Sequence, residues 1–257
     1  MTSAFARPRS ILVEACVESV ASAIAAERGG AQRVELCAAL HDGGTTPSAG
    51  MIAAVKSAVS VPVLVMIRPC GGGFAYSDDE RDVMRRDVHV ARELGADGVV
   101  IGALTRDGSV DLATVHALIE AARGVPVTFH RAFDLTADLA GALEALAGAG
   151  VQRVLTSGGA PNAADGASVL ARLVRDAGSR IVVMAGGGVR AENVGALVAA
   201  SGVREVHVRL TRTESGGEGA RRLPLRKALP ADESAWEETD EERMRAFVGA
   251  LGRVGTG

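Results

Sequence analysis

Two short segments, Glu14-Ala15-Cys16 and Glu35-Leu36-Cys37, place a thiol two residues after a carboxylate at the end of an aliphatic run. In an extended strand, residues two apart share a face, so each cysteine and its glutamate point the same way. If the two runs are neighbouring strands about 4.8 Å apart, the sulfurs can share one soft ion. Thiolates select Cu(I) or zinc over hard cations; a two-sulfur site favours Cu(I), whereas zinc wants four donors. Met66 offers a thioether nearby, and Cys70, in Arg68-Pro69-Cys70-Gly71, becomes a third thiolate if its loop turns inward. The same cysteines serve equally as small core residues.

These residues sit in a repeating pattern. Short aliphatic runs ending in polar or glycine-rich residues occur near 11–16, 32–37, 62–68, 97–102, 125–130, 151–156, 180–185 and 204–209, with helix-length segments between them. Eight βα units over 257 residues predict a single-domain α/β protein spanning residues 1–257, a (β/α)₈ TIM barrel. An open dinucleotide-binding sheet would carry Gly-x-Gly-x-x-Gly after the first strand; the chain has Cys16-Val17-Glu18-Ser19 there. Residues 211–238 break the pattern, as an irregular loop that is either functional or partly disordered. A final helix is expected over 240–251, where Met244, Phe247, Val248 and Leu251 share one face.

In such a barrel the reactive groups lie at the C-terminal ends of the strands. Strand parity turns Val13, Ala15, Val34 and Leu36 outward, and Leu12, Glu14, Cys16, Glu35 and Cys37 inward. It also turns Arg68, His130 and His207 to the axis. A ring of acid, imidazole and guanidinium supports a second reading, an enzyme acting on a small anionic metabolite such as a phosphate or sugar acid. Glu14 or Glu35 would be its base, His130 its acid and Arg68 an electrophilic clamp. The run Gly186-Gly187-Gly188-Val189-Arg190 after the seventh strand would cradle the anion, with Arg190 as the nearby cation. These charged groups could equally satisfy one another as a buried ion-pair network. A scaffold working through residues 211–238 is a third reading.

Lysines at positions 56 and 227 alone leave no amine for a Schiff base, and no His-Glu-x-x-His or Gly-x-Ser-x-Gly occurs. A balance of 28 basic against 31 acidic residues, with no basic run interleaved with aromatics, argues against nucleic acid. No stretch approaches the roughly 18 apolar residues of a membrane span, and no signal peptide is recognised. With three cysteines, this leads us to expect a cytoplasmic protein with reduced thiols. General frequency makes a homo-oligomer, a symmetric dimer, the default assembly.

Six ordered motifs resemble the CutC family, named for copper homeostasis. They are Glu14-Ala15-Cys16-Val17-Glu18-Ser19, Arg28 through Cys37, Gly43 through Ser48, Met66-Ile67-Arg68-Pro69, Phe129 through Asp134, and Leu155 through Gly159. The resemblance spans about residues 11–210. It implies a (β/α)₈ barrel linked to copper handling, with Cys16 and Cys37 as Cu(I) ligands. The chain departs from the family where Arg-Pro-Arg-Gly-Gly-Asp becomes Arg68-Pro69-Cys70-Gly71-Gly72-Gly73. It departs again at Ala185, where proline is usual, and at Val208-Arg209 after His207.

Overall fold

Strands buried on both faces must be apolar toward the helices and tightly complementary toward the axis, which is why most of the eight aliphatic runs read as nearly continuous. The computed structural model describes residues 11–215 and 235–252. Its strands are β1 (Leu12–Val17), β2 (Arg33–Leu36), β3 (Val63–Met66), β4 (Gly98–Ile101), β5 (Val127–Phe129), β6 (Arg153–Thr156), β7 (Val182–Gly186) and β8 (Glu205–Val208). They pair in parallel in chain order, and β8 returns to β1 to close the barrel.

The helices are α1 (Val20–Arg28), α2 (Ala49–Ala58), α3 (Asp78–Glu93), α4 (Leu112–Ala122), α5 (Leu139–Ala149), α6 (Ala167–Ala177), α7 (Val194–Ser201) and α8 (Glu241–Gly252). Several start on side chains that accept from orphan backbone N–H groups: Ser19, Ser48, Asp111 and Asp138, with a full capping box between Ser77 and Glu80. Outward strand residues such as Val13, Ala15, Val34 and Leu36 join the helices in one continuous apolar layer. A separate cluster inside the barrel contains Cys16, Cys37, Leu64, Met66 and Val100. The expected parity therefore holds on the first two strands.

Equivalent residues of the first two strands do not lie level. Cys16 lies opposite Glu35, and Glu14 opposite Arg33, so the two Glu-x-Cys segments are offset by one pleat instead of lying level. Closing a barrel requires such a stagger. A second difference concerns residues 211–238. Their described ends form an antiparallel ribbon, β9 (Thr211–Ser215) with β10 (Ala235–Thr239), and Thr239 N–H donates to Ser22 Oγ on α1 at 3.1 Å. Residues 216–234 lie outside the described part, and with them the centre of the scaffold reading. Helix α8 forms as expected, burying Met244, Phe247 and Leu251 against α1 and α7.

Candidate functional site

The barrel axis holds a ladder of ionisable groups. At its base Arg33 Nε donates to Glu14 Oε2 at 2.5 Å, and its Nη2 to Glu205 Oε2 at 2.6 Å. Arg153 Nε donates to the same Glu205 oxygen at 2.5 Å. Above this layer, His207 Nδ1 lies 2.8 Å from Glu14 Oε1, and its Nε2 lies 3.7 Å from Glu35 Oε2. Cys37 Sγ lies 3.5 Å from Glu35 Oε2 and 3.9 Å from Cys16 Sγ. Both thiols are free and buried. Diagonal neighbours across a stagger meet because Cys37, just past β2, leans back toward the end of β1, and its N–H donates to Val17 O.

Charge follows from these contacts. Burial alone would raise the Glu14 carboxyl, but His207 and Arg33 overcome it and hold the group at about 2. Glu35 has a longer contact to His207 and no arginine: burial and the negative charge of Cys16 and Glu14 outweigh the imidazole and push it well above the usual carboxylate range. His207 is penalised by burial, yet Glu35, Cys16 and Glu14 raise it well above an ordinary imidazole. The thiols separate: hydrogen bonding from Cys37 and the nearby His207 lower Cys16, while Cys37 rises through that same contact and its burial. Within the pair, Cys16 is therefore the thiol that ionises first. Ligand atoms of Cys16, Glu35 and Cys37 lie within 4.8 Å of one another, as do those of Glu14, Glu35 and His207.

The ladder opens into a cavity of about 380 Å³ at the C-terminal mouth. Its lining includes Cys16, Glu35, Cys37, Met66, His130 and His207. His130 follows β5 and is 5% exposed. The Ala132 N–H donates to its Nδ1 at 3.0 Å, so the ring proton belongs on Nε2, which is buried and has no partner. Burial and the nearby Arg68 charge lower this imidazole to about 3, so it is neutral and donates from Nε2. Glu35 Oε1 is likewise buried without a partner.

Several expected members stand elsewhere. Arg68 is buried but does not line the cavity: its Nη1 donates to Asp42 O and Gly44 O at 2.8 and 2.9 Å, its Nη2 to Gly72 O at 2.8 Å, and its guanidinium lies over Phe74. It fastens loops together instead of clamping a ligand. Cys70 is exposed and donates to Glu80 Oε1 at 3.3 Å at the start of α3, apart from the thiol pair. With this contact made, the loop carries the thiol on the outside. Glu14 is saturated by Arg33 and His207, which removes it as a free base. Gly186, Gly187 and Gly188 do join β7 to the α7 segment, but Arg190 is exposed, its Nη1 bonded to the carbonyl of Val189.

Other residues belong to the site without having been expected. Arg33 shares the inward parity of Glu35 and Cys37 on the same strand, and that alternation was the signal for it. Asp134 accepts from Thr156 Oγ1, from the N–H and Oγ of Ser157 at 3.0 Å, and from Gly159 N–H at 3.0 Å, binding the β5 and β6 loops together. Arg131 Nε donates to Asp134 Oδ2 at 2.8 Å and its Nη2 to Ser157 Oγ at 2.8 Å. Both line the cavity. Their only sequence signal was membership of the Phe129 to Asp134 motif.

A family model described as the CutC family matches residues 11–212. The chain belongs to the CutC family. The human copper homeostasis protein cutC homolog is 46% identical over 238 residues, covering 92% of this chain and 87% of that protein. A family protein CutC of Chromobacterium violaceum is also 46% identical, over 95% of this chain and 99% of its own length. The crystal structure of a copper homeostasis protein CutC from Streptococcus agalactiae superposes with a TM-score of 0.74 at 36% identity, covering 77% of this chain and 97% of that one. The barrel and its closure are thus those of the CutC family, and the thiol pair stands at the C-terminal mouth, where barrels keep their reactive groups.

Proposed function

We propose that this CutC protein handles copper by binding one Cu(I) ion between Cys16 and Cys37. The observation that carries the reading is the approach of two free, buried sulfurs to 3.9 Å on the floor of the mouth cavity. The donor set suits the ion: soft sulfur within an apolar collar of Leu64, Met66 and Val100, with no surplus of hard oxygen ligands pointing at the pair beyond Glu35. Cys16 is the more readily ionised thiol, and binding the ion displaces the protons the pair still holds. Copper is here the cargo, and Cys70 has no part in holding it. Three free cysteines support a reducing, cytoplasmic setting. A symmetric dimer remains the working expectation for the assembly, to be read by sedimentation.

The test is an anaerobic Cu(I) titration of the reduced protein against a competing chelator. One equivalent should bind the parent and Cys70→Ser, and none should compete successfully in Cys16→Ser/Cys37→Ser. Equally tight binding by the double variant would refute the assignment.

A second reading, an acid–base enzyme acting on a small anionic metabolite, is favoured by the two buried, unpartnered polar atoms at the cavity, His130 Nε2 and Glu35 Oε1. Groups of that kind are costly unless a ligand completes them. Glu35 would exchange the proton and His130 donate a hydrogen bond to a developing oxyanion. Turnover in a metabolite panel that disappears in Glu35→Gln would support it; absence of turnover across phosphorylated and carboxylated metabolites would end it.

A further inference from the structure

The guanidinium of Arg131 is held in a fixed pose but only partly satisfied. An arginine carries five N–H donors, and two of those of Arg131 are engaged, Nε with Asp134 and Nη2 with Ser157. Among the described residues, Nη1 has no hydrogen-bond partner. It faces the β7 loop at Gly187, where an added Cβ would stand 3.1 Å from it. Gly187 has φ +98°, a left-handed conformation that favours glycine. The loop thus presents bare backbone where the guanidinium passes over it.

Asp134 pairs with this cation through Nε alone and leaves the Nη1 edge of the guanidinium open. Its two oxygens also accept from Thr156, Ser157 and Gly159, which fixes the carboxylate on the β6 loop. The Arg131 side chain remains 43% exposed and lines the same cavity as His130. A fixed, planar, accessible guanidinium at a cavity wall is suited to an oxyanion. The bonds to Asp134 and Ser157 have already removed the rotamer freedom that binding would otherwise cost.

We infer that the cavity carries an oxyanion subsite centred on Arg131, which takes the phosphate or carboxylate end of a small metabolite. Arg131, not Arg190, is the cation of this subsite. The inference rests on the second reading only in assuming that the cavity admits a small anion. It requires no copper and no turnover.

The experiment is calorimetric titration of the metal-free, reduced full-length chain with inorganic phosphate and, separately, with acetate, alongside phosphorus NMR of the phosphate arm. At least one anion should bind the parent protein. Its affinity should fall at least tenfold in Arg131→Gln, recover in part in Arg131→Lys, and stay within twofold of the parent in Arg190→Gln. Saturable phosphate binding identifies a phosphate-bearing ligand, and acetate alone a carboxylate. Thermal midpoints of each variant report folding, and Arg131→Lys keeps the test valid if Arg131→Gln is unstable. No binding of either anion by the parent, undiminished binding in both Arg131 variants, or loss in Arg190→Gln would overturn the inference. A metabolite turned over equally well by the parent and by Arg131→Gln would also overturn it while leaving the enzymatic reading intact.

Discussion

Two histidines at one mouth shift in opposite directions because their neighbours differ. His207 sits between Glu14 and Glu35 and is raised, whereas His130 is surrounded by apolar groups and the Arg68 cation and is lowered to about 3. The consequence for stability has a definite sign. Because the folded form of His130 resists protonation while the unfolded chain takes a proton near 6.5, the unfolded state binds more protons between those values. Its contribution is fully present above pH 6.5 and declines as the pH falls toward 3, on the order of 5 kcal/mol across the whole window. Urea unfolding of the parent should therefore weaken from pH 7 to pH 4 more steeply than that of His130→Asn. Parallel pH profiles would mean that the imidazole is not held neutral.

At the level of elements, two pieces of different character pack on the helices flanking β1 and β8. The β9–β10 ribbon touches α1 through the Thr239 to Ser22 hydrogen bond, while α8 inserts a fully buried Phe247 with Met244 against α1 and α7. Truncating a buried phenylalanine removes its transfer energy and leaves a cavity, at about 3–5 kcal/mol. Phe247→Ala should lose that much in chemical denaturation. Copper and phosphate binding should persist at temperatures where the variant remains folded, because α8 has no residue at the cavity. The expectation of this helix came from four apolar residues at helical spacing. The ribbon escaped the same scrutiny because Thr211–Ser215 and Ala235–Thr239 are polar on both faces, and their pairing depends on each other.

The whole molecule sorts its three thiols by position. Cys70 is exposed at the start of α3, whereas Cys16 and Cys37 are 6% and 1% exposed at the bottom of the mouth. A bulky disulfide reagent applied to the native protein should titrate one thiol rapidly and the other two slowly, with the fast phase absent in Cys70→Ser and all three released in denaturant. Two fast thiols in the native protein would contradict the burial of the pair. Cys16 and Cys37 share the lining of one cavity with Arg131 and His130, so occupancy at the thiol pair should be felt by an anion at Arg131.

Alternation along a strand is a local property, and it was enough to say that Glu14, Cys16, Glu35 and Cys37 face the axis and that eight βα units close into one barrel. The six motifs were enough for the family. Local alternation carries no information about how far neighbouring strands slide, so the pairing of Cys16 with Glu35, and the diagonal meeting of the sulfurs, depended on barrel closure. The fate of charged groups beyond the strand ends was decided the same way. Arg68 was captured by the carbonyls of two loops, Cys70 by Glu80, and Arg131 by Asp134 and Ser157, because a buried or half-buried donor takes whichever acceptor the folded loops bring within reach. Those acceptors lie up to 26 residues away along the chain, and only the tertiary structure brings them together.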